Sequence, residues 1–246
     1  MSTYGSLFSG AGLWDHGLES ELPGLRCSFQ VERNPDALRI LAHHWPDVPR
    51  ITDIKQARGV DLPRVDGLIG GIPCDGISTA RTTGERGIES GNTNLWIEAD
   101  RLVGELSPAW CMWESSAKDR AWSRWVPVVR RDLWTRRYAS VSFRVRAHEH
   151  GAAHGRDRAF VVGWKLPSDP DRQGEPPRAV HDALASLRAT PVDLWDGRVP
   201  ARAHGRLAPG LDQRLAERIG MGVDRRAGRV TARILGSLIA ALESIG

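Results

Sequence analysis

Residues 4–164 repeat one pattern several times: a short apolar run, a tight turn rich in glycine or polar residues, then a stretch whose apolar side chains recur at helical spacing. Strands joined through helices run in the same direction and are covered on both faces, so this alternation points to an α/β domain with a mostly parallel sheet. Ligands of such sheets gather at the carboxyl ends of the strands. The residues that close each apolar run are therefore the first place to look for chemistry.

The first unit predicts a strand over 4–8, a turn at Ser9-Gly10-Ala11-Gly12 and a helix over 13–22 stopped by Pro23-Gly24. Glycines here let the backbone approach a ligand at a helix N-terminus, but a single Gly-x-Gly also serves as a tight turn with no ligand. A second strand over 26–31 ends at Glu32, where nucleotide-binding folds accept ribose hydroxyls; a surface charge is the equal alternative. Asn34 caps and Pro35 begins a helix over 35–44. The run 51–54 then brings Asp53 to another strand end.

The fourth apolar run, 65–70, delivers Cys74 into a glycine-rich loop. Leu68-Ile69 suits a strand covered on both faces, Gly70-Gly71 frees the backbone to turn, and Pro73 fixes the approach to the cysteine. The polar stretch beyond, through Ser78, Arg81 and Gly84 to Asn92, has the length and hinges of a lid or binding element. There follow a helix over 95–106, a buried strand over 109–113 ending on Glu114, a helix over 121–135 interrupted by Pro127, and a strand over 139–145. A polar crossing over 148–158 carries Arg156 and Arg158 into a last apolar strand at 159–164. From 165 to 209 prolines break the pattern, and 230–245 returns to helical spacing.

Three cysteines, Cys27, Cys74 and Cys111, lie far apart without a CxxC or Cys/His cluster, so neither a disulfide framework nor a metal site is indicated. Cys27 and Cys111 sit inside apolar runs and read as core, as do most of the ten tryptophans. No apolar segment approaches the ~20 residues of a membrane span, and the N-terminus lacks a basic region followed by an apolar run. A soluble, cytoplasmic protein is expected. Its formal net charge of +4 is carried almost entirely by arginine, which favours a polyanionic partner but is equally what a GC-rich genome yields.

Taken in order, Leu7-Phe8-Ser9-Gly10-Ala11-Gly12 with Leu18-Glu19, Glu32, Thr52-Asp53-Ile54, Gly71-Ile72-Pro73-Cys74 with Ser78, Glu114, and Arg156-Asp157-Arg158 running into Ala159-Phe160-Val161-Val162-Gly163 form a spaced set. That set resembles the DNA (cytosine-5)-methyltransferases over roughly the first two thirds of the chain, with a weaker echo at Arg218-Ile219-Gly220-Met221-Gly222-Val223. The resemblance implies a Rossmann-like, S-adenosylmethionine-dependent fold. It also implies that the Cys74 thiolate adds to carbon 6 of a flipped-out cytosine, because carbon 5 of the ring is otherwise a poor nucleophile. Glu114 would meet ring nitrogen 3 and the exocyclic amine, and Arg156 and Arg158 would hold the base beside the thiol. Phe8, Gly10, Gly12, Glu32, Asp53 and Leu95 would form the S-adenosylmethionine pocket, and Ser78 and Arg81 would face DNA.

The implied organisation is a catalytic and cofactor-binding α/β domain over 1–164, a small irregular target-recognition insert over 165–210, and a C-terminal helix over 211–246 returning to the first domain. The expected partner is double-stranded DNA, met by a monomer in the cytoplasm of a prokaryotic or phage-infected cell, without membrane or metal. The chain departs from the family pattern at Asp75, Ser115-Ser116, Arg33, His154 and Met221. Only about fifty residues separate the last strand from the final motif, a small surface for reading bases, which predicts a short or relaxed target sequence. An RNA-directed relative with the same cysteine chemistry and a catalytically silent DNA-binding homologue are the alternatives.

Overall fold

A computed structural model describes residues 2–73, 95–116, 119–146 and 157–166, together with Gly236. Its strands are β1 (Ser2–Leu7), β2 (Leu25–Val31), β3 (Arg50–Ile51), β4 (Gly67–Gly71), β5 (Trp110–Ser116), β6 (Tyr138–Arg146) and β7 (Asp157–Lys165). Among the described residues, the helices are α1 (Leu13–Glu21), α2 (Pro35–His44), α3 (Trp96–Leu106) and α4 (Asp119–Thr135), with a 3-10 turn at Gly59–Asp61. All seven strands join one sheet in the order β3-β2-β1-β4-β5-β7-β6. The first five are mutually parallel, while β7 runs antiparallel to β5 and to β6.

The side chains explain why this sheet is sandwiched. Along β5, Cys111 and Trp113 enter one core with α3 and α4 residues such as Trp96, Leu102, Trp125 and Leu133. The alternate residues Trp110 and Met112 enter a second core with Trp14 and Leu18 of α1. Leu68 and Ile69 of β4 divide in the same way, as do Val161 and Val162 of β7. Every one of these strand residues is 0–2% exposed, so each contributes on the order of 1.5–3 kcal/mol of burial. The both-faces coverage inferred from Leu68-Ile69 is thus what the sheet displays.

Helix starts follow their sequence signals. Asn34 accepts hydrogen bonds from the backbone N–H groups of Asp36 (2.9 Å) and Ala37 (3.2 Å), with Pro35 at the first helical position. Pro127 is the exception: the expected interruption is absent, and α4 runs through it as one element. A proline removes one intrahelical bond, but Trp125, Val126, Val129 and Leu133 around it are all buried and hold the helix against the sheet.

Cys74, Ser78, Arg81 and Arg156 lie outside the described residues, as does the insert beyond Leu166. Of the expected C-terminal helix, Gly236 is described; it is helical and lies against Leu22 at the end of α1.

Candidate active site

The strand order reverses direction at β1: β2 and β3 lie on one side, β4 and β5 on the other. Connections leaving β1 and β4 therefore diverge and open a crevice at their carboxyl ends. Phe8 follows β1, Glu32 follows β2, Asp53 follows β3 and Glu114 lies near the end of β5. Arg158 is the second residue of β7, which is antiparallel, so it reaches the same edge, paired with Ser116. The topology thus gathers the described residues singled out in the sequence onto one rim.

On the β1 side, the loop after Leu7 is built from left-handed residues: Phe8 (φ 55°), Gly10 (φ 55°) and Gly12 (φ 73°). A non-glycine residue in that region is uncommon and costs on the order of 1–3 kcal/mol. The loop is held by Ser9 N–H donating to Val31 O (3.1 Å) and Gly12 N–H donating to Ser9 O (3.0 Å). A side chain at Gly12 would collide with the Trp45 ring (2.4 Å) and Leu41 (2.8 Å), whereas one at Gly10 would meet none of the described residues within 4 Å. Gly12 therefore permits close packing of α2, and Gly10 leaves open space above the turn.

Glu32 closes that space. Its Oε2 accepts the Gly10 N–H (2.8 Å) and its Oε1 accepts the Asn34 N–H (2.7 Å). Each carboxylate oxygen keeps a further lone pair, so the group can bridge two loops and still receive hydroxyls from a ligand. Next along the rim, the Asp53 carboxylate accepts the Lys55 N–H (2.9 Å), which sets a tight turn after β3. Leu95, immediately before α3, is partly buried and packs with Phe8 and Ile51 against the first core. An open glycine turn, a bridging carboxylate, a second carboxylate and an apolar wall suit a ligand with a ribose-like diol and a flat ring.

On the β4 side, Glu114 is 6% exposed and forms an ion pair through Oε1 with the Arg158 Nε. Register explains the contact, because β5 and β7 are adjacent and antiparallel over Trp110–Ser116. Gly71 stands opposite Glu114 in β4, and a Cβ there would come within 3.3 Å of the carboxylate Oε2. Ile72 N–H donates to Glu114 O (2.8 Å), and the buried Ser115 hydroxyl donates to Ile72 O (3.4 Å). The end of β4 is thereby fastened to β5 just before Pro73 and Cys74.

The other two cysteines sit inside the cores. Burial pushes the Cys111 thiol up to about 12 and the Cys27 thiol higher still, so neither supplies a thiolate near neutrality. Asp15, in the first turn of α1, is 1% exposed and accepts from the Tyr4 hydroxyl (3.4 Å). Burial pushes its carboxyl up to about 6. Among the described residues, no group of histidines, cysteines and carboxylates is arranged to hold a metal, and no helix is long and apolar enough to cross a membrane.

The model of the C-5 cytosine-specific DNA methylase family matches residues 2–198. The chain belongs to this family. Among its relatives, the Type II methyltransferase M.DdeI of Desulfomicrobium norvegicum is 26% identical over 200 residues, covering 76% of this chain and 47% of that protein. The Type II methyltransferase M.FnuDI of Fusobacterium nucleatum is 28% identical over 177 residues, covering 65% and 46% respectively. The chain thus spans about half the length of the relatives it matches. The S. pombe Dnmt2 methyltransferase shares the fold at a TM-score of 0.58 and 14% identity, covering 74% of this chain and 55% of the other. Spodoptera frugiperda DNMT2 does so at 0.56 and 16%, covering 71% and 54%.

Within this family frame, Gly71 and Asn34 have long-range partners beyond the local roles read from the sequence, and Arg101 was not singled out there at all. Gly71 admits the Glu114 carboxylate, Asn34 presents its N–H to Glu32, and Arg101 of α3 reaches the turn after Asp53. Gly70-Gly71 and Asn34 carried a local signal, for turning and for capping; their long-range partners had none.

Proposed function

We propose that this chain is a DNA cytosine-5 methyltransferase that takes its methyl group from S-adenosylmethionine and acts on a cytosine flipped out of double-stranded DNA. The observation that carries the reading is the ion pair of the buried Glu114 with the partly buried Arg158, fastened to the strand end that leads to Cys74 and set on the same rim as the Gly10–Glu32 turn. An acid and a guanidinium withdrawn from water at a crevice are suited to holding a polar ring by its edge, where fixed charges act most strongly.

In this reading the Cys74 thiolate attacks carbon 6 of the cytosine, forming a carbon–sulfur bond and making carbon 5 an enamine nucleophile. Glu114 holds ring nitrogen 3 and the exocyclic amine while charge develops there, and Arg158 keeps the glutamate in place and, with Arg156, orients the base. Glu32 receives the donor's ribose hydroxyls, Asp53 the adenine amine, and Phe8 and Leu95 wall the pocket beside Gly10 and Gly12. Bound S-adenosylmethionine supplies the electrophilic methyl group. Ser78 and Arg81, beyond the cysteine, face the DNA. The segment 165–210 reads the target, and its small size favours a short or relaxed recognition sequence.

Transfer of labelled methyl groups to double-stranded DNA and to tRNA, followed by bisulfite sequencing of the DNA, tests the reading. DNA should be the acceptor, with 5-methylcytosine spread over sites of fewer than four defined bases. Label entering tRNA alone would replace DNA by RNA as substrate. Methylation confined to a longer site would refute the relaxed specificity.

A further inference from the structure

Arg101 lies in the middle of α3, yet its guanidinium reaches out of the helix to the turn that follows β3. Its Nη2 donates to the carbonyl oxygens of Ile54 (3.1 Å) and Ala57 (2.9 Å). Its Nε and Nη1 are held by Glu98 Oε2 (2.9 Å) and Glu105 Oε1 (2.7 Å), one turn away on either side. Glu105 also accepts the Gly59 N–H through Oε2 (2.6 Å). One helix face therefore grips residues 54–59 by three bonds to backbone, and the two glutamates fix the guanidinium that makes two of them.

The gripped segment is the one that aims Asp53. Within it the Asp53 carboxylate accepts the Lys55 N–H (2.9 Å), the Asp53 carbonyl accepts the Gln56 N–H (2.9 Å), and the Ile54 carbonyl accepts the Ala57 N–H (3.3 Å). Arg101 takes the free side of that same Ile54 carbonyl and the carbonyl that ends the turn. Ile54 and Ala57 are buried and Arg101 is partly so, which limits competition from water. Glu105 is largely exposed, and although slight desolvation raises its carboxyl, the Gly59 amide and the Arg101 guanidinium outweigh that and hold the group below its ordinary value, as an ionised anchor requires. The same helix begins beside Leu95, so the apolar wall and the Asp53 turn are mounted on one rigid element.

We propose that Arg101 is a positioning residue for the methyl-donor half of the site, presenting the Asp53 carboxylate to the donor's adenine by clamping the turn that carries it. The inference rests on the donor-pocket reading given above. Lysine cannot replace the arginine fully, because a single ammonium lacks the fork that serves two carbonyls and two carboxylates together.

The test is calorimetric binding of S-adenosylmethionine and S-adenosylhomocysteine to the wild-type chain and to Asp53→Ala, Arg101→Met, Arg101→Lys and the double variant Asp53→Ala/Arg101→Met, well below each melting temperature. Hydrogen exchange of residues 53–61 is measured alongside, without donor. Arg101→Met should weaken binding about ten- to a hundredfold, the scale of charge-assisted hydrogen bonds lost, and speed exchange in 53–61. Arg101→Lys should fall between. The double variant should bind no more weakly than Asp53→Ala alone, since Arg101 acts through that carboxylate, which a general loss of stability would not produce. Wild-type binding that Asp53→Ala weakens but neither Arg101 variant changes would overturn the role of Arg101 alone. Absence of donor binding by the wild type, or undiminished binding by Asp53→Ala, would overturn the pocket reading and this inference with it. Should the methionine variant not fold, Arg101→Lys decides: a wild-type affinity and exchange rate contradict the proposal.

Discussion

Replacing Glu32 by glutamine separates the two tasks assigned to this side chain. The carboxylate accepts one backbone N–H on each oxygen, from Gly10 at 2.8 Å and from Asn34 at 2.7 Å. A carboxamide has one oxygen and one NH2, so whichever way it turns, one backbone N–H faces a donor instead of an acceptor. The loss is one charge-assisted hydrogen bond, about 1.5–3 kcal/mol. For a chain of this size each kcal/mol lowers Tm by about 2–4 °C, which gives a fall of roughly 3–12 °C in a thermal melt. The Gly10 turn or the start of α2 is freed at the same time, and the ribose hydroxyls lose an anionic acceptor. The Kd for S-adenosylmethionine, read by calorimetry, should therefore rise about ten- to a hundredfold. A Glu32→Gln protein with wild-type Tm and wild-type Kd would show that the carboxylate neither holds the turn nor meets the donor.

Two further substitutions probe the rest of the rim and the core behind it. Glu114→Gln leaves the Arg158 guanidinium, whose side chain is 17% exposed, without its anionic partner; stability should fall by about 3 kcal/mol or somewhat less, and single-turnover methyl transfer by about 100- to 1000-fold. Equal single-turnover rates in variant and wild type would remove Glu114 from the chemistry. Asp15 gives a pH dependence: its carboxyl is raised by burial from the ordinary 3.8 to about 6, so the folded state binds the proton more tightly and stability falls as pH rises through that window. Asp15→Asn should match the wild type in unfolding free energy near pH 4 and exceed it above pH 6, by up to about 3 kcal/mol at 1.36 kcal/mol per pH unit; a stability difference that does not change with pH would contradict the assignment.

Much of the fold was legible because it depends on local periodicity. The alternation of Trp110, Cys111, Met112 and Trp113 between two cores is the pleat of a buried strand, and Asn34-Pro35 is a helix start that chemistry dictates wherever it occurs. The strand-end positions of Glu32, Asp53 and Glu114 were legible for the same reason. Their partners were not. Glu114 meets Arg158 only because β7 returns antiparallel beside β5, and Gly71 opposes Glu114 only through the parallel register of β4 with β5. Arg101, with Glu98 and Glu105 one turn to either side, has the sequence appearance of a solvated helix face; its grip on Ile54 and Ala57 is a long-range contact with no local signal. Pro127 erred in the opposite direction, because a local helix-breaking signal lost to the burial of the residues around it. Cys74 lies outside the described residues, so its proposed role is carried by the family pattern and by the rim at the end of β4, the strand that precedes it in the sequence.

Covalent trapping tests that role most directly. DNA carrying 5-fluorocytosine cannot release the enzyme once carbon 5 has been methylated, so incubation of the wild-type chain with such DNA and S-adenosylmethionine should give a protein–DNA adduct that survives denaturation and maps by mass spectrometry to Cys74. The adduct should be absent from Cys74→Ala. No adduct with the folded, donor-binding wild type, or an adduct that persists in Cys74→Ala, would contradict the mechanism.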